Sequence, residues 1–203
     1  MSRATTWKNK RSSVKILKIS MRRLVSACCA FAFSTLLATS LVAQQTPSVK
    51  AISQIDISQY MGSWYEIAKL PNWFQRNCTQ NTKATYQLIN PAQIQVLNQC
   101  QTANGEIIQA LGMARPRPNG LPAQLEVRFA PSWLGLLPFV WGDYWVLDLD
   151  PQYQLAAVGD PSKKYLWILS RTPQISETSY KALTQRLSLM GFDVSRLEKT
   201  TQN

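Results

Sequence analysis

Three aspartates, Asp143, Asp148 and Asp150, and two cysteines, Cys78 and Cys100, are the side chains of this 203-residue chain whose type and spacing could do chemistry. A close pair of carboxyls can divide the acid and base roles of a hydrolysis, and a thiolate is a nucleophile where a neighbouring cation lowers its pKa. The chain has no histidine. That removes the usual base partner of a serine or cysteine nucleophile, the commonest transition-metal ligand and the proximal haem ligand of globin-like sites. The aspartates fall at odd and even positions of one strand-like stretch and its turn, so they are read as facing solvent or capping the turn. The eight glycines are scattered among turn-like segments and form no phosphate-binding loop. No enzymatic activity, metal or cofactor is expected. What remains is aromatic and aliphatic bulk, including every tryptophan except Trp7.

The formal charge is +11, from 22 Lys and Arg against 11 Asp and Glu, a balance that would suit nucleic acid if it were spread evenly. It is concentrated instead. Eight basic residues (Arg3, Lys8, Lys10, Arg11, Lys15, Lys18, Arg22 and Arg23) precede residue 24, leaving 22 − 8 = 14 basic and 11 acidic groups in 44–203, a net of +3. No nucleic-acid partner is expected. The uncharged run Leu24–Ala43 follows Met21-Arg22-Arg23 and ends in small residues, the pattern of a secretory signal. Met1 or Met21 could start the chain, and the run is also just long enough to span a bilayer uncleaved. Val25-Ser26-Ala27-Cys28 has the small-residue pattern of a lipoprotein cleavage site, but the apolar run follows Cys28 instead of preceding it, so a lipid anchor there is not expected. Residues 1–43 are read as an N-terminal extension and signal, cleaved after Ala43, and 44–54 as a flexible leader. The mature chain would be exported to a periplasmic, lumenal or extracellular space.

Cys28 and Cys29 lie in the signal, so Cys78 and Cys100 are the cysteines of the mature chain. Export to an oxidising compartment favours a disulfide between them; two unpaired buried thiols are the alternative. Closing the loop would contribute about 3 kcal/mol on the chain-entropy model.

The elements that must position these residues are short β-type runs separated by turn residues at roughly ten-residue intervals, the spacing of an all-β sandwich or barrel. Eight strands are predicted: 62–69, 83–89, 93–99, 106–113, 124–129, 144–148, 155–159 and 165–171. Asn90-Pro91, Asn104-Gly105, Asn119-Gly120, Asp150-Pro151 and Asp160-Pro161 supply turn chemistry between them, and such short connections favour antiparallel neighbours. Pairing the second and third strands as a hairpin brings Cys78 near Cys100. One helix is predicted over Ser176–Met190, with Ser176 as N-cap, Gly191 as stop, and an apolar stripe of Tyr180, Leu183, Leu187 and Met190.

The first strand, Gly62-Ser63-Trp64-Tyr65-Glu66-Ile67-Ala68, resembles the lipocalin family, in its bacterial lipocalin and apolipoprotein D-like branch. Two further blocks follow in the family's order: Gly142-Asp143-Tyr144, then Tyr165-Leu166-Trp167-Ile168-Leu169-Ser170-Arg171-Thr172-Pro173 before the helix and Gly191-Phe192-Asp193. The resemblance implies an eight-stranded antiparallel up-and-down β-barrel with one C-terminal α-helix packed outside, here over residues 55–198 with 199–203 as a tail. It implies that Gly62, Trp64 and Arg171 are structural, with Arg171 packed across Trp64 at the closed end, and that Asp143 and Tyr144 tie a loop there. The function it implies is binding, storage or transport of a small hydrophobic or amphipathic molecule such as a fatty acid, lysophospholipid or oxidised lipid, in envelope maintenance or stress protection.

Strand alternation then selects the pocket, because residues two apart share a face. With Trp64 inward, Glu66 and Ala68 point inward; with Arg171 inward, so do Leu169, Trp167 and Tyr165. Phe74, Tyr86, Leu88, Val127, Phe129 and Trp167 are the candidate ligand contacts, with Phe74, Tyr86, Phe129 and Trp167 placed near the open end; simple core filling is the alternative for the deep positions. The stretch 131–141 is apolar although it should be an exposed loop. Trp133, Leu136, Leu137, Phe139 and Trp141 are its candidate membrane or rim contacts, unless the loop folds over the opening and packs. Two other functions stay open: an interaction module built on this loop around a filled interior, and a lipocalin-fold isomerase. Oligomeric state is not legible.

Overall fold

The computed structural model describes residues 48–131, 134–135 and 137–203. The signal, residues 44–47 of the leader, Trp133 and Leu136 lie outside the described residues. Among the described residues, no helix is long and apolar enough to cross a membrane.

Eight strands run β1 Gly62–Lys69, β2 Gln80–Asn90, β3 Gln93–Gln101, β4 Ile107–Pro116, β5 Gln124–Arg128, β6 Gly142–Leu149, β7 Leu155–Gly159 and β8 Leu166–Ser170. Each pairs antiparallel with the next, and β1 pairs with both β8 and β2. The sheet is therefore closed, which removes the exposed edges that invite aggregation. Up-and-down order sends alternate connections to opposite ends. The β2–β3, β4–β5 and β6–β7 turns share one end with a short helix, α1 Ile57–Tyr60, while segments 70–79, 102–106, 129–141 and 160–165 share the other. Residues 51–60 close the first end, where Ile52 N–H donates to the Val146 carbonyl and Ala51 and Tyr60 enter the core. The second end is open.

Alternation divides the apolar side chains into two clusters. Inside lie Trp64, Tyr86, Ile94, Val96, Ala114, Leu125, Val146, Ala156, Val158 and Leu169. Outside, Leu147, Ala157, Leu166 and Ile168 receive Leu183 and Leu187 of the helix α2 Glu177–Leu189 and Phe192 beyond it. Ser176 caps α2 by accepting from Ser179 N–H, and Arg186 forks onto Asp148 at 2.6 and 2.9 Å. The Cys78–Cys100 disulfide is formed, with Cα atoms 5.5 Å apart.

Two features correct the sequence reading. Ala68 faces the helix, not the interior. A register shift between Glu66 and Ala68 turns the rest of β1 over and sets Lys69 opposite Trp167, as one extra residue must where the side-chain period is two. Residues 199–203 are not a tail. The direct β1–β2 pairing covers only Gly62–Tyr65 with Tyr86–Lys83. Toward the open end the C-terminus fills the seam: β9 Glu198–Lys199 pairs with Ala68 and Lys69, Thr200 N–H donates to Ile67 O, and Asn81 N–H donates to Thr201 O. Gln202 Nε2 then bridges Glu66 O at 2.7 Å and Thr82 O at 2.9 Å.

Candidate functional site

The closed end is built around Trp64. Its indole N–H donates to Tyr60 O at 2.9 Å, and the Arg171 guanidinium lies 3.9 Å from the ring centroid, a contact worth about 0.5 to 2 kcal/mol. Arg171 also donates to the carbonyls of Ser63 (2.9 Å), Gln59 (2.8 Å) and Tyr153 (3.2 Å). It thereby joins α1, β1 and the β6–β7 turn. Gly62 makes room: its φ is +92° and a Cβ there would stand 3.3 Å from Arg171 Nη1. Asp143 pairs with Arg117 in the β4–β5 turn. Asp148 holds α2, and Asp150 accepts from Gln152 and Gln154 N–H in its turn. The three aspartates have separate partners and do not converge on a common centre.

Above this floor, three phenols meet. Tyr60 and Tyr86 hydroxyls lie 2.9 and 2.8 Å from the Tyr144 hydroxyl. Burial pushes the Tyr86 pKa up to about 12 and those of Tyr60 and Tyr144 well above the ordinary value, so all three are neutral near pH 7. Tyr86 pairs with Gly62 and so lies near the closed end, which corrects its sequence placement near the open one. Leu88 is farther that way, opposite Ile94 and beyond the last β1 partner, where it is 40% exposed.

Two apolar columns lead from the phenols toward the open end. On β5 and the residue after it, Leu125, Val127 and Phe129 alternate with outward residues; on β8 and the residue before it, Leu169, Trp167 and Tyr165 do the same. Leu125 and Leu169 are in the interior cluster, with Val127 and Trp167 packed on it. At the mouth, Tyr165 and Trp167 stack with centroids 5.9 Å apart, and Phe74, 49% exposed, leans on both at 5.6 and 6.2 Å. Phe129, 44% exposed, lies over Gly112, where a Cβ would stand 2.6 Å from its ring. Ile108, Ala110 and Gly112 share a strand face with the interior residue Ala114, and Ile108 and Ala110 remain exposed. The inner wall is therefore reachable from the open end.

A polar network that sequence reasoning missed fixes the loop carrying Phe74. Trp167 Nε1 donates to Gln75 Oε1 at 2.9 Å, Gln75 Nε2 donates to Glu66 Oε2 at 2.6 Å, and Thr200 Oγ1 donates to Glu66 Oε1 at 2.6 Å. Glu66 is 3% exposed, and desolvation pushes its carboxyl above the usual range despite these donors. Alternation placed Glu66 inward, but Gln75 and Thr200 carry no sequence signal for this role. Tyr60 was also missed, although Asp56 and Gln59 carry a helix-start pattern before it; Asp56 accepts from Ser58 N–H at 2.9 Å.

The described part of the 131–141 stretch is tied to the outer wall through Trp141. Trp141 sits between the Arg115 and Arg128 guanidiniums, at 3.9 and 5.1 Å, and donates from its indole N–H to Gly135 O at 2.8 Å. Phe139 is 80% exposed, and Leu137 is exposed beside it. Trp141 is thus an anchor, whereas Leu137 and Phe139 face solvent. Two clefts of about 200 and 400 Å³ flank the start of α2 outside the barrel and share no residue with the interior cluster. Among the described residues, no three His, Cys, Asp or Glu side chains are grouped to hold a metal.

The family model for the lipocalin-like domain matches residues 55–202. Temperature-induced lipocalin-1 of Arabidopsis thaliana is 43% identical over 157 residues, covering 76% of this chain and 83% of that one. Outer membrane lipoprotein Blc of Vibrio cholerae is 36% identical over 152 residues (74% and 84%), and apolipoprotein D of Mus musculus 31% over 163 (77% and 82%). Among solved structures, insecticyanin from the tobacco hornworm Manduca sexta superposes with a TM-score of 0.56 at 22% identity, covering 77% of this chain and 85% of that one. Apocrustacyanin C2 does so with a TM-score of 0.58 at 19% identity (73% and 80%). At these identities the structural likeness concerns the fold.

Proposed function

The chain belongs to the lipocalin family, whose members typically bind small hydrophobic ligands, and from that premise we propose that it carries a membrane-derived hydrophobe in its barrel. The observation that carries this reading is the pair of apolar columns ending in exposed aromatic rings, Phe74 and Phe129, at a mouth through which Ile108 and Ala110 are reached. Concave, mostly apolar sites with a few polar groups are how proteins hold such ligands. Fatty acids, lysophospholipids and oxidised lipids are the classes proposed, with a role in envelope maintenance or stress protection after export. The absence of histidine, the disulfide and the separately engaged aspartates support a carrier over a catalyst.

A second reading concerns the rim. Exposed Phe139, Leu137 and Trp73 stand on open-end segments, an arrangement that favours contact with a membrane surface from which a ligand could be taken. Displacement of a fluorescent apolar dye by palmitic acid and by a lysophospholipid tests the carrier reading. Trp167→Ala with Phe129→Ala should weaken displacement about tenfold or more, since each truncation removes a few kcal/mol of buried apolar contact at most. Equal displacement from both proteins would place the ligand elsewhere.

A further inference from the structure

The three phenols near the closed end leave one hydrogen-bond donor over. Tyr60, Tyr86 and Tyr144 carry one hydroxyl proton each, and their two mutual contacts, 2.9 and 2.8 Å, consume two. No other acceptor is within hydrogen-bonding distance of the three hydroxyls among the described residues. The spare proton can be placed. Tyr60 and Tyr86 are buried as whole residues, whereas Tyr144 is only partly buried although its hydroxyl is desolvated like theirs, and a phenolic oxygen can accept two bonds. With both neighbours donating into Tyr144, its own proton is the one left without an acceptor. Burial keeps the phenols neutral, and donation from two sides polarises the third.

The wall between the phenols and the mouth is not uniformly bulky, although the Phe129 ring covers Gly112. The inner positions Ala84 of β2 and Ala110 of β4 are small where β5 and β8 carry bulk, and Ala110 is exposed toward the open end. Leaving a buried donor unmade costs about 1 to 3 kcal/mol, so a guest bringing an acceptor gains over one that does not. That acceptor is uncharged. The cation that faces the phenols, Arg171, spends its hydrogen bonds on backbone carbonyls, and a carboxylate buried here would lose its water without gaining a paired charge.

Resting on the carrier reading, we propose that the Tyr144 hydroxyl, supported by Tyr60 and Tyr86, seats the carbonyl oxygen of an otherwise apolar guest, so that ketones, aldehydes or esters enter the barrel oxygen first. The test uses the full chain with methyl undecyl ketone and its hydrocarbon counterpart tridecane. NMR of the labelled carbonyl carbon is read first in the wild-type protein, where hydrogen bonding moves the bound resonance downfield of its position in a hydrocarbon solvent. Tyr144→Phe should return it to that position and weaken ketone binding about 2- to 12-fold, the worth of one hydrogen bond, while tridecane binding is unchanged. A hydrocarbon-like resonance in the wild-type protein, or equal weakening of both guests, overturns the proposal and leaves the carrier reading standing. Failure of both guests to displace an interior dye overturns both readings.

Discussion

At the scale of single residues, the site contrasts buried groups that are satisfied with one that is strained by its own burial. Arg171 has an indole face and backbone carbonyls around it, so its charge is compensated at the closed end. Glu66 has two donors but no cation bonded to it, and desolvation dominates. Its pKa is therefore raised on folding, and the folded state holds the proton more tightly than the unfolded chain does. By linkage, stability then falls as pH rises from the ordinary glutamate range, about 4.3, through the raised folded value. Glu66→Gln lacks that titration. Thermal melts of both proteins from about pH 4 to pH 8 should show the wild type losing ground to the variant as pH rises; a pH-independent difference would contradict the assigned cause.

At the scale of elements, a disulfide and a C-terminal strand hold the open end. The disulfide ties the segment before β2 to the end of β3 across a separation of 22 residues, so Cys78→Ser with Cys100→Ser should cost about 3 kcal/mol on the chain-entropy model. For a domain of this size that is a fall of about 6 to 12 °C in Tm, and an unchanged Tm would remove the bond from the stability account. This pairing is legible in the sequence because export and the cysteine count point to it. β1 and β7 were legible to the residue, since alternation and flanking turn residues bound them on both sides. The turnover at Ala68 was not, because Ile67 and Ala68 are both apolar and either phase satisfies a period of two. The role of residues 198–203 was hidden for a different reason: a polar strand that pairs through backbone and amide groups has no hydrophobic pattern to announce it.

At the scale of the whole molecule, the closed barrel and the outside helix follow from patterning that is consistent along the chain; Gly62, Trp64 and Arg171 meet around one indole at the closed end, and Asp143, near the start of β6, pairs with Arg117 of the β4–β5 turn. The mouth was less legible. Phe74, Val127, Phe129 and Trp167 lie along the route from the phenols to the open end, but Tyr86 lies at the other, a placement derivable from the antiparallel pairing of β1 with β2 once the direction of β1 is fixed. Gln75 and Thr200 reach the site through a loop and a terminus whose paths no local pattern encodes.

The central claim is that the interior holds a hydrophobe, and mass spectrometry of organic extracts tests it most directly. The full chain, expressed with its N-terminal segment and purified without detergent, would be extracted beside the Trp167→Ala, Phe129→Ala variant. The account predicts a lipid in near-stoichiometric amount from the wild type and its loss from the variant. Extracts of both proteins free of any such molecule would contradict it and shift the function to the rim.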